Sequence, residues 1–241
     1  MSGGLVNIRA NLEEVSQRIK LAALRGGRSP EEVRLVAITK TVSVAAIREV
    51  MACGVRIFGE SRVQEALPKT QELQGDNMSW HFVGHLQTNK TKQVVGLFDL
   101  IHSVDSLKLA MALEAAMGAW SGKTGSRQKV LVQVNISGEE TKSGVLPEEV
   151  GVMLKGMAKC KGLSVVGLMT LPPRFDDPED SRPFFRALQE LARSIEKVGI
   201  DGVSMRELSM GMSGDYEVAI EEGATLVRIG NAIFERRNSE K

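Results

Sequence analysis

From residue 34 onward, short apolar runs rich in β-branched residues alternate with helical patterns, and this alternation constrains the fold more than any single motif. The runs read as strands at 34–40, 56–60, 79–85, 100–104, 129–136, 164–170, 207–212 and 225–230. Between them lie helical patterns at 43–53, 62–73, 89–97, 106–119, 148–160, 181–198 and 215–222. Eight strands alternating with helices over roughly 200 residues is the count expected of a closed (β/α)8 barrel. A doubly wound open sheet is the competitor, and the count argues against it. Upstream, Ile8, Leu12, Val15 and Ile19 are spaced four, three and four, the signature of an amphipathic helix that Gly26-Gly27 ends. Little chain follows strand eight, so this extra N-terminal helix, within residues 1–28, is expected to pack where an eighth outer helix would lie. The expectation is a single domain spanning 1–241, with no solenoid-length repeat.

Composition removes several function classes. A net charge of +1 supplies no basic field for nucleic acid and no polybasic stretch for lipid. No apolar run is long enough to span a bilayer, and Met1-Ser2-Gly3-Gly4 has no basic-then-apolar signal pattern. Cys53 and Cys160 are the only cysteines and form no Cys-x-x-Cys. A reducing cytoplasmic compartment is expected.

In such a barrel the carboxyl ends of the strands surround one pocket. Strand one, 34–40 within the apolar stretch Val33 to Thr41, ends on Lys40, which by parity points the same way as Val36 and Ile38. The residue is either a lysine snorkelling into solvent or a nucleophile at the mouth of a barrel. Other strand ends supply Glu60 and Ser61, His85, Ser103, Asn135, Met169 and Thr170, Met210 to Ser213, and Arg228, Gly230 and Asn231. Polar residues gather there while strand interiors are aliphatic. Ser209-Met210-Gly211-Met212-Ser213-Gly214-Asp215 runs from a strand into a helix, and a small-residue loop of that kind offers free N–H groups to an anion. Asp215 reads as the helix N-cap. Arg228 and Gly230 share a face, inward if Val227 and Ile229 pack on helices, and a buried arginine there needs an anion, an acceptor, or an ion pair with Glu207 or Glu60.

Several motifs are excluded. On a strand His81 and His85 lie about 13 Å apart, too far to share a metal. Lys123 and Gly125 lack the spacing of a P-loop, and no Ser-His-Asp or Cys-His triad assembles. A lysine able to form a Schiff base, facing a phosphate site, leaves two candidate ligands. One is a sugar phosphate, as in an aldolase; the other is pyridoxal 5′-phosphate.

The motifs that decide between them are Val36-Ala37-Ile38-Thr39-Lys40-Thr41, Phe58 to Glu65, and Trp80 to Lys90. With them stand Val134 to Glu139 with Lys142-Ser143-Gly144, Gly167 to Thr170, Leu208 to Asp215, and Val227 to Phe234. In this order, over nearly the whole chain, they resemble the pyridoxal phosphate homeostasis proteins. The resemblance implies a barrel similar to the N-terminal domain of alanine racemase, with pyridoxal phosphate held as an internal aldimine. It implies Lys40 as the Schiff-base lysine, Ser213 as the phosphate-binding hydroxyl, Gly230 and Asn231 as backbone phosphate contacts, and Arg228 facing the pyridine nitrogen. Ser61 and Met210, inside the matching stretches, complete the expected cofactor-binding set. The chain departs from the family at Ser61, where asparagine is usual, and at Asn231, where threonine is usual.

Arginine offers no acceptor and stays protonated, so Arg228 would keep the ring nitrogen unprotonated and weaken the ring as an electron sink. Racemisation needs an acid/base group on each face of the substrate carbon. Lys40 serves one face, and the racemases' tyrosine from a second domain has no counterpart here. Tyr216, the sole tyrosine, follows the anion loop and is expected beside the phosphate. The expected function is to hold, buffer and deliver pyridoxal phosphate to apo-enzymes that depend on it, with no dedicated substrate, as a monomer or weak homodimer. A weak amino-acid racemase and a Schiff-base aldolase are the enzyme alternatives.

Overall fold

A computed structural model describes residues 6–73, 77–122 and 125–235. Lys123 and the Met1–Gly4 stretch lie outside the described residues.

The strands are β1 (Arg34–Ile38), β2 (Ile57–Glu60), β3 (Ser79–Phe82), β4 (Leu100–Val104), β5 (Gln128–Gln133), β6 (Leu163–Met169), β7 (Val203–Ser209) and β8 (Leu226–Ile229). They are parallel and close in sequence order into one barrel, with β8 pairing back onto β1 through Val36 opposite Arg228. The open-sheet alternative is thereby excluded. Side chains sort by strand parity into two cores. Val36, Leu100, Leu131, Val166, Met169 and Leu226 fill the lumen, with Ile38 and Ile57 packed against them. Ala37, Phe58, Ile101, Val132, Val227 and Ile229 face outward into the helix layer.

That layer comprises α1 (Ile8–Arg25), α2 (Val44–Ala52), α3 (Val63–Glu72), α4 (Thr91–Val94), α5 (Leu107–Ala119), α6 (Pro147–Met157), α7 (Arg182–Val198), α8 (Tyr216–Glu221) and α9 (Asn231–Phe234). Asn7 caps α1, its Oδ1 accepting the Ala10 N–H at 3.0 Å. The helix buries the expected Ile8, Leu12, Val15 and Ile19 against α8, α9 and α2. Asn11 ties it down by donating to the Ile233 carbonyl at 2.9 Å. The N-terminal helix therefore covers the gap left by α9, which is a single turn.

Several boundaries differ from the sequence pattern, and β3, β5 and β7 each end three residues early, at Phe82, Gln133 and Ser209. β1 ends at Ile38 instead of 40: Thr39 makes one more ladder bond, to the Gly59 carbonyl at 3.0 Å, and then Thr41 turns the chain at φ +60°. β7 begins at Val203 instead of 207, because its first half is only partly buried and lacks a continuous apolar run. The helix expected at 89–97 shrinks to a 3₁₀ turn (Thr88–Lys90) and the single turn α4.

Candidate functional site

The barrel mouth contains a cavity of about 550 Å³ lined by Ile38 and Lys40 from β1 and its turn, Arg228, Gly230 and Asn231 from the end of β8, Met212 to Asp215 from the β7–α8 loop, and Pro173 to Asp176 from the β6–α7 loop. Of the residues expected from sequence, Lys40, Ser213, Arg228, Gly230 and Asn231 meet in this one cavity. Ser61 and Met210 do not line it. Ser61 is half-buried just past β2, its carbonyl pressed against Gly84, and Met210 is buried on the helix side.

Lys40 is exposed, and its amine has no hydrogen-bond or ionic partner among the described residues. The backbone around it is pinned. Lys69 of α3 donates to the Thr39 carbonyl at 2.7 Å and to Glu60 Oε1 at 2.6 Å, and the Thr39 hydroxyl donates to the same oxygen at 2.6 Å. On the far side of Lys40, the Thr41 N–H donates to Glu65 Oε2 at 3.1 Å. A lysine amine carried on a pinned stretch of backbone is a nucleophile placed in advance.

The loops after β7 and β8 are stitched together by the Ala232 N–H donating to Ser213 Oγ at 3.3 Å. The Met212 N–H donates to Asp215 Oδ1 at 2.6 Å, so that carboxylate braces the loop while Asp215 occupies the N-cap position of α8. The amides of Ser213, Gly214, Gly230 and Asn231 have no protein acceptor among the described residues. Four such donors around a cavity suit an oxyanion with several oxygens.

Arg228 points inward, as expected if Val227 and Ile229 face the helices, which they do. Its guanidinium is buried yet pairs with neither Glu207 nor Glu60: Glu207 is held by Arg34 and the Thr225 hydroxyl, and Glu60 by Lys69. Instead it donates to Ser209 Oγ at 2.5 Å and to the Thr170 carbonyl at 3.0 Å. Burial lowers its pKa to about 10, with Asp215 opposing the shift. Arginine therefore remains a cation at neutral pH, facing neutral acceptors and the cavity.

Other strand-end residues lie elsewhere. Tyr216 turns into the helix layer, buried beneath Arg18 at 5.5 Å, and does not line the cavity. Its expected place beside a phosphate is corrected accordingly. His85 is exposed and lies 3.4 Å from Asp105, and no group of metal-binding side chains occurs among the described residues. Asn135 is spent on its own loop, accepting from the Ser137 hydroxyl and the Gly138 N–H. The sequence pattern missed His102, Ser209 and the Pro173–Asp176 wall. Parity with the lumen residue Leu100 was the available signal for His102.

The sequence profile of the alanine racemase N-terminal domain matches residues 5–237. The chain is 43% identical to the pyridoxal phosphate homeostasis protein of Aquifex aeolicus, over 96% of this chain and 99% of that one. It is 40% identical to the protein of that name from Escherichia coli, over 98% and 99%. Among solved structures it resembles PipY of Synechococcus elongatus with PLP bound (TM-score 0.77, 35% identity, 91% of this chain and 99% of that one). It also resembles an alanine racemase of Clostridium difficile in fold (TM-score 0.73, 15% identity, 97% of this chain and 58% of that one).

Proposed function

This chain belongs to the pyridoxal phosphate homeostasis proteins, within the alanine racemase N-terminal-domain family, and on that premise we propose that its barrel mouth holds pyridoxal phosphate and releases it to apo-enzymes that need it. One observation carries the reading: a lysine amine and four backbone amides with no partner among the described residues, and a buried guanidinium that meets only neutral acceptors there, line the same cavity. The donor set fits the group. Lys40 would take the aldehyde, the amides of Ser213, Gly214, Gly230 and Asn231 the phosphate, and Arg228 the ring nitrogen. When bound, pyridoxal phosphate supplies an aldehyde that condenses with amines and a ring that accepts electrons.

The residues favour carriage over turnover. Arg228 has only N–H groups to offer, so whatever it meets in the cavity must be an acceptor, and a neutral ring nitrogen draws electrons weakly. Tyr216, the one tyrosine, is buried away from the cavity and holds no proton at a substrate carbon. The exposure of Lys40 lets an incoming amine reach it from solvent. No helix among the described residues is long and apolar enough to cross a membrane.

The test is an absorbance spectrum of purified protein loaded with pyridoxal phosphate, before and after borohydride, with peptide mapping. A visible band lost on reduction, with the pyridoxyl group on Lys40, is the expected result. A protein that takes up no pyridoxal phosphate would sink the reading.

A further inference from the structure

Arg228 is the first link of a buried polar chain that crosses the barrel lumen. It donates to Ser209 Oγ at 2.5 Å, Ser209 Oγ lies 2.8 Å from His102 Nδ1, and His102 Nε2 lies 3.0 Å from His81 Nδ1. These four side chains come from β8, β7, β4 and β3, so the chain spans the lumen from one wall to the opposite one. All four are at most 5% exposed. A barrel lumen is ordinarily packed with branched aliphatic layers, and replacing part of a layer by polar groups is costly unless every one is satisfied.

The chemistry of the donors allows one direction only. A guanidinium has no acceptor, so Arg228 must donate to Ser209. The Ser209 hydroxyl carries one proton, and the acceptor within reach of it among the described residues is His102 Nδ1. Were His102 Nδ1 protonated instead, two donors would point at Ser209 and its own proton would be buried without a partner. His102 Nδ1 is therefore bare and its Nε2 carries the hydrogen, which it donates to His81 Nδ1. His81 in turn carries its hydrogen on Nε2. Burial lowers the pKa of His81 to about 3 and that of His102 well below the usual range, with the charge of Arg228 adding to the latter, so both rings are neutral.

We infer that His102 and His81 are positioning residues for the cofactor pocket: through Ser209 they form a one-way hydrogen-bond chain that fixes the rotamer of Arg228 and keeps its remaining N–H groups aimed at the cavity. A single aliphatic residue at position 102 would leave the Ser209 proton unpaired and free Arg228 to swing. The identity of the acceptor that Arg228 meets rests on the cofactor reading above; the direction of the chain is a property of the protein alone.

The experiment has two arms. The first is a two-bond ¹⁵N–¹H correlation spectrum of the apo-protein labelled at histidine, near neutral pH. The chain has only three histidines, and exposed His85 serves as the internal reference. Two neutral rings, each with its hydrogen on Nε2 and a hydrogen-bonded bare Nδ1, are expected. A His102 with its hydrogen on Nδ1, or a charged His102, overturns the inference. The second arm compares His102→Leu with His102→Asn, whose amide oxygen replaces Nδ1 as the acceptor for Ser209. Leucine should weaken pyridoxal phosphate binding roughly tenfold and shift the visible band, and asparagine should restore both to within about threefold. Equal affinity and an unshifted band in His102→Leu, or no recovery in His102→Asn, overturns it as well. If the wild-type protein takes up no pyridoxal phosphate, the cofactor reading falls and the tautomers alone uphold or overturn the chain.

Discussion

Lys69 reaches from α3 to the Thr39 carbonyl at 2.7 Å, so the peptide immediately before Lys40 is held by a second lysine. The same ammonium is ion-paired with Glu60 at 2.6 Å, with Glu60 fully buried and Lys69 nearly so. Glu60 Oε2 has no hydrogen-bond partner among the described residues, which makes this carboxylate depend heavily on Lys69 and Thr39. Lys69→Met is expected to destabilise the apo-protein by roughly 3 kcal/mol or more, because it leaves a buried charge uncompensated. The double variant Lys69→Met with Glu60→Met should recover most of that loss. Urea unfolding of the two variants and the wild type measures both. A double variant no more stable than the single one would show that the pair is not what is lost.

Lys40 itself should matter little to the fold. It is exposed and without a partner among the described residues, so Lys40→Ala is expected to change stability by less than about 0.5 kcal/mol. The same variant should abolish the borohydride-trapped adduct. Thermal unfolding of the apo-protein, set beside mass spectrometry of the reduced protein, separates the two effects. A fall in melting temperature of several degrees would mean that the amine has a structural role.

The barrel and most of the pocket were legible in the sequence for a physical reason. The strand runs end on polar residues, and the topology carries those ends to one rim, so Lys40, Ser213, Arg228, Gly230 and Asn231 converge whatever the details of packing. Partnerships were not legible. Glu60 and Glu207 both looked available to Arg228, yet strand parity places Glu60 and Thr39 on the helix side, where Lys69 takes them. Ser209 and His102 are 107 positions apart, and only closure of the barrel makes them neighbours. The place of Tyr216 is not legible either, because its position after the loop says nothing of which way the first turn of α8 faces.

The two lumen histidines give folding a distinctive pH dependence. Both have folded pKa values depressed below the ordinary 6.5 by burial, to about 3 for His81. Their unfolded forms bind protons first as pH falls, so their contribution to stability is complete above about pH 6.5 and declines below it. By pH 5 each ring should cost about 2 kcal/mol. Unfolding free energy measured at pH 7.5, 6 and 5 should fall with a slope approaching two protons, and His81→Leu with His102→Leu should flatten it. A flat wild-type profile over this range would contradict the buried neutral pair.

Carboxylates at the C-terminal end of α8 act in a lower window. Glu222 is held below its usual range by the hydrogen bond from Arg186, assisted by Arg182. For Glu221 burial pulls upward, but hydrogen bonds from Arg182 and Arg25 together outweigh it. Depressed folded values mean that this stability is present above about pH 4.5 and lost as pH falls through the folded pKa values. These pairs tie α8 to α1 and α7, directly behind the β7–α8 loop. Amide hydrogen exchange in 212–222 is therefore expected to rise selectively at pH 4, and less so at pH 5.5. Acceleration in 212–222 no greater than in the rest of the chain, over and above the global loss set by the two histidines, would mean that the network does not anchor this segment separately.

A steep steric demand falls on Gly211, next to the pocket-lining Met212. Its φ of +88° lies in the left-handed region, and an added Cβ would sit 2.6 Å from the Ala219 Cβ and 2.9 Å from the Tyr216 Cα. The second of these is backbone, so it cannot yield by a change of rotamer. Gly211→Ala must instead move the start of α8, and with it Ser213 and Asp215, which frame the cavity. The strain and the clash add, so a loss of about 2–4 kcal/mol is expected. Because the loop shifts as a unit, the affinity for inorganic phosphate should fall along with that for pyridoxal phosphate, whereas Lys40→Ala should leave phosphate binding intact. Isothermal titration of both variants with phosphate distinguishes a displaced loop from a missing amine. Unchanged phosphate affinity in Gly211→Ala would show that the anion donors do not depend on how Gly211 packs against α8.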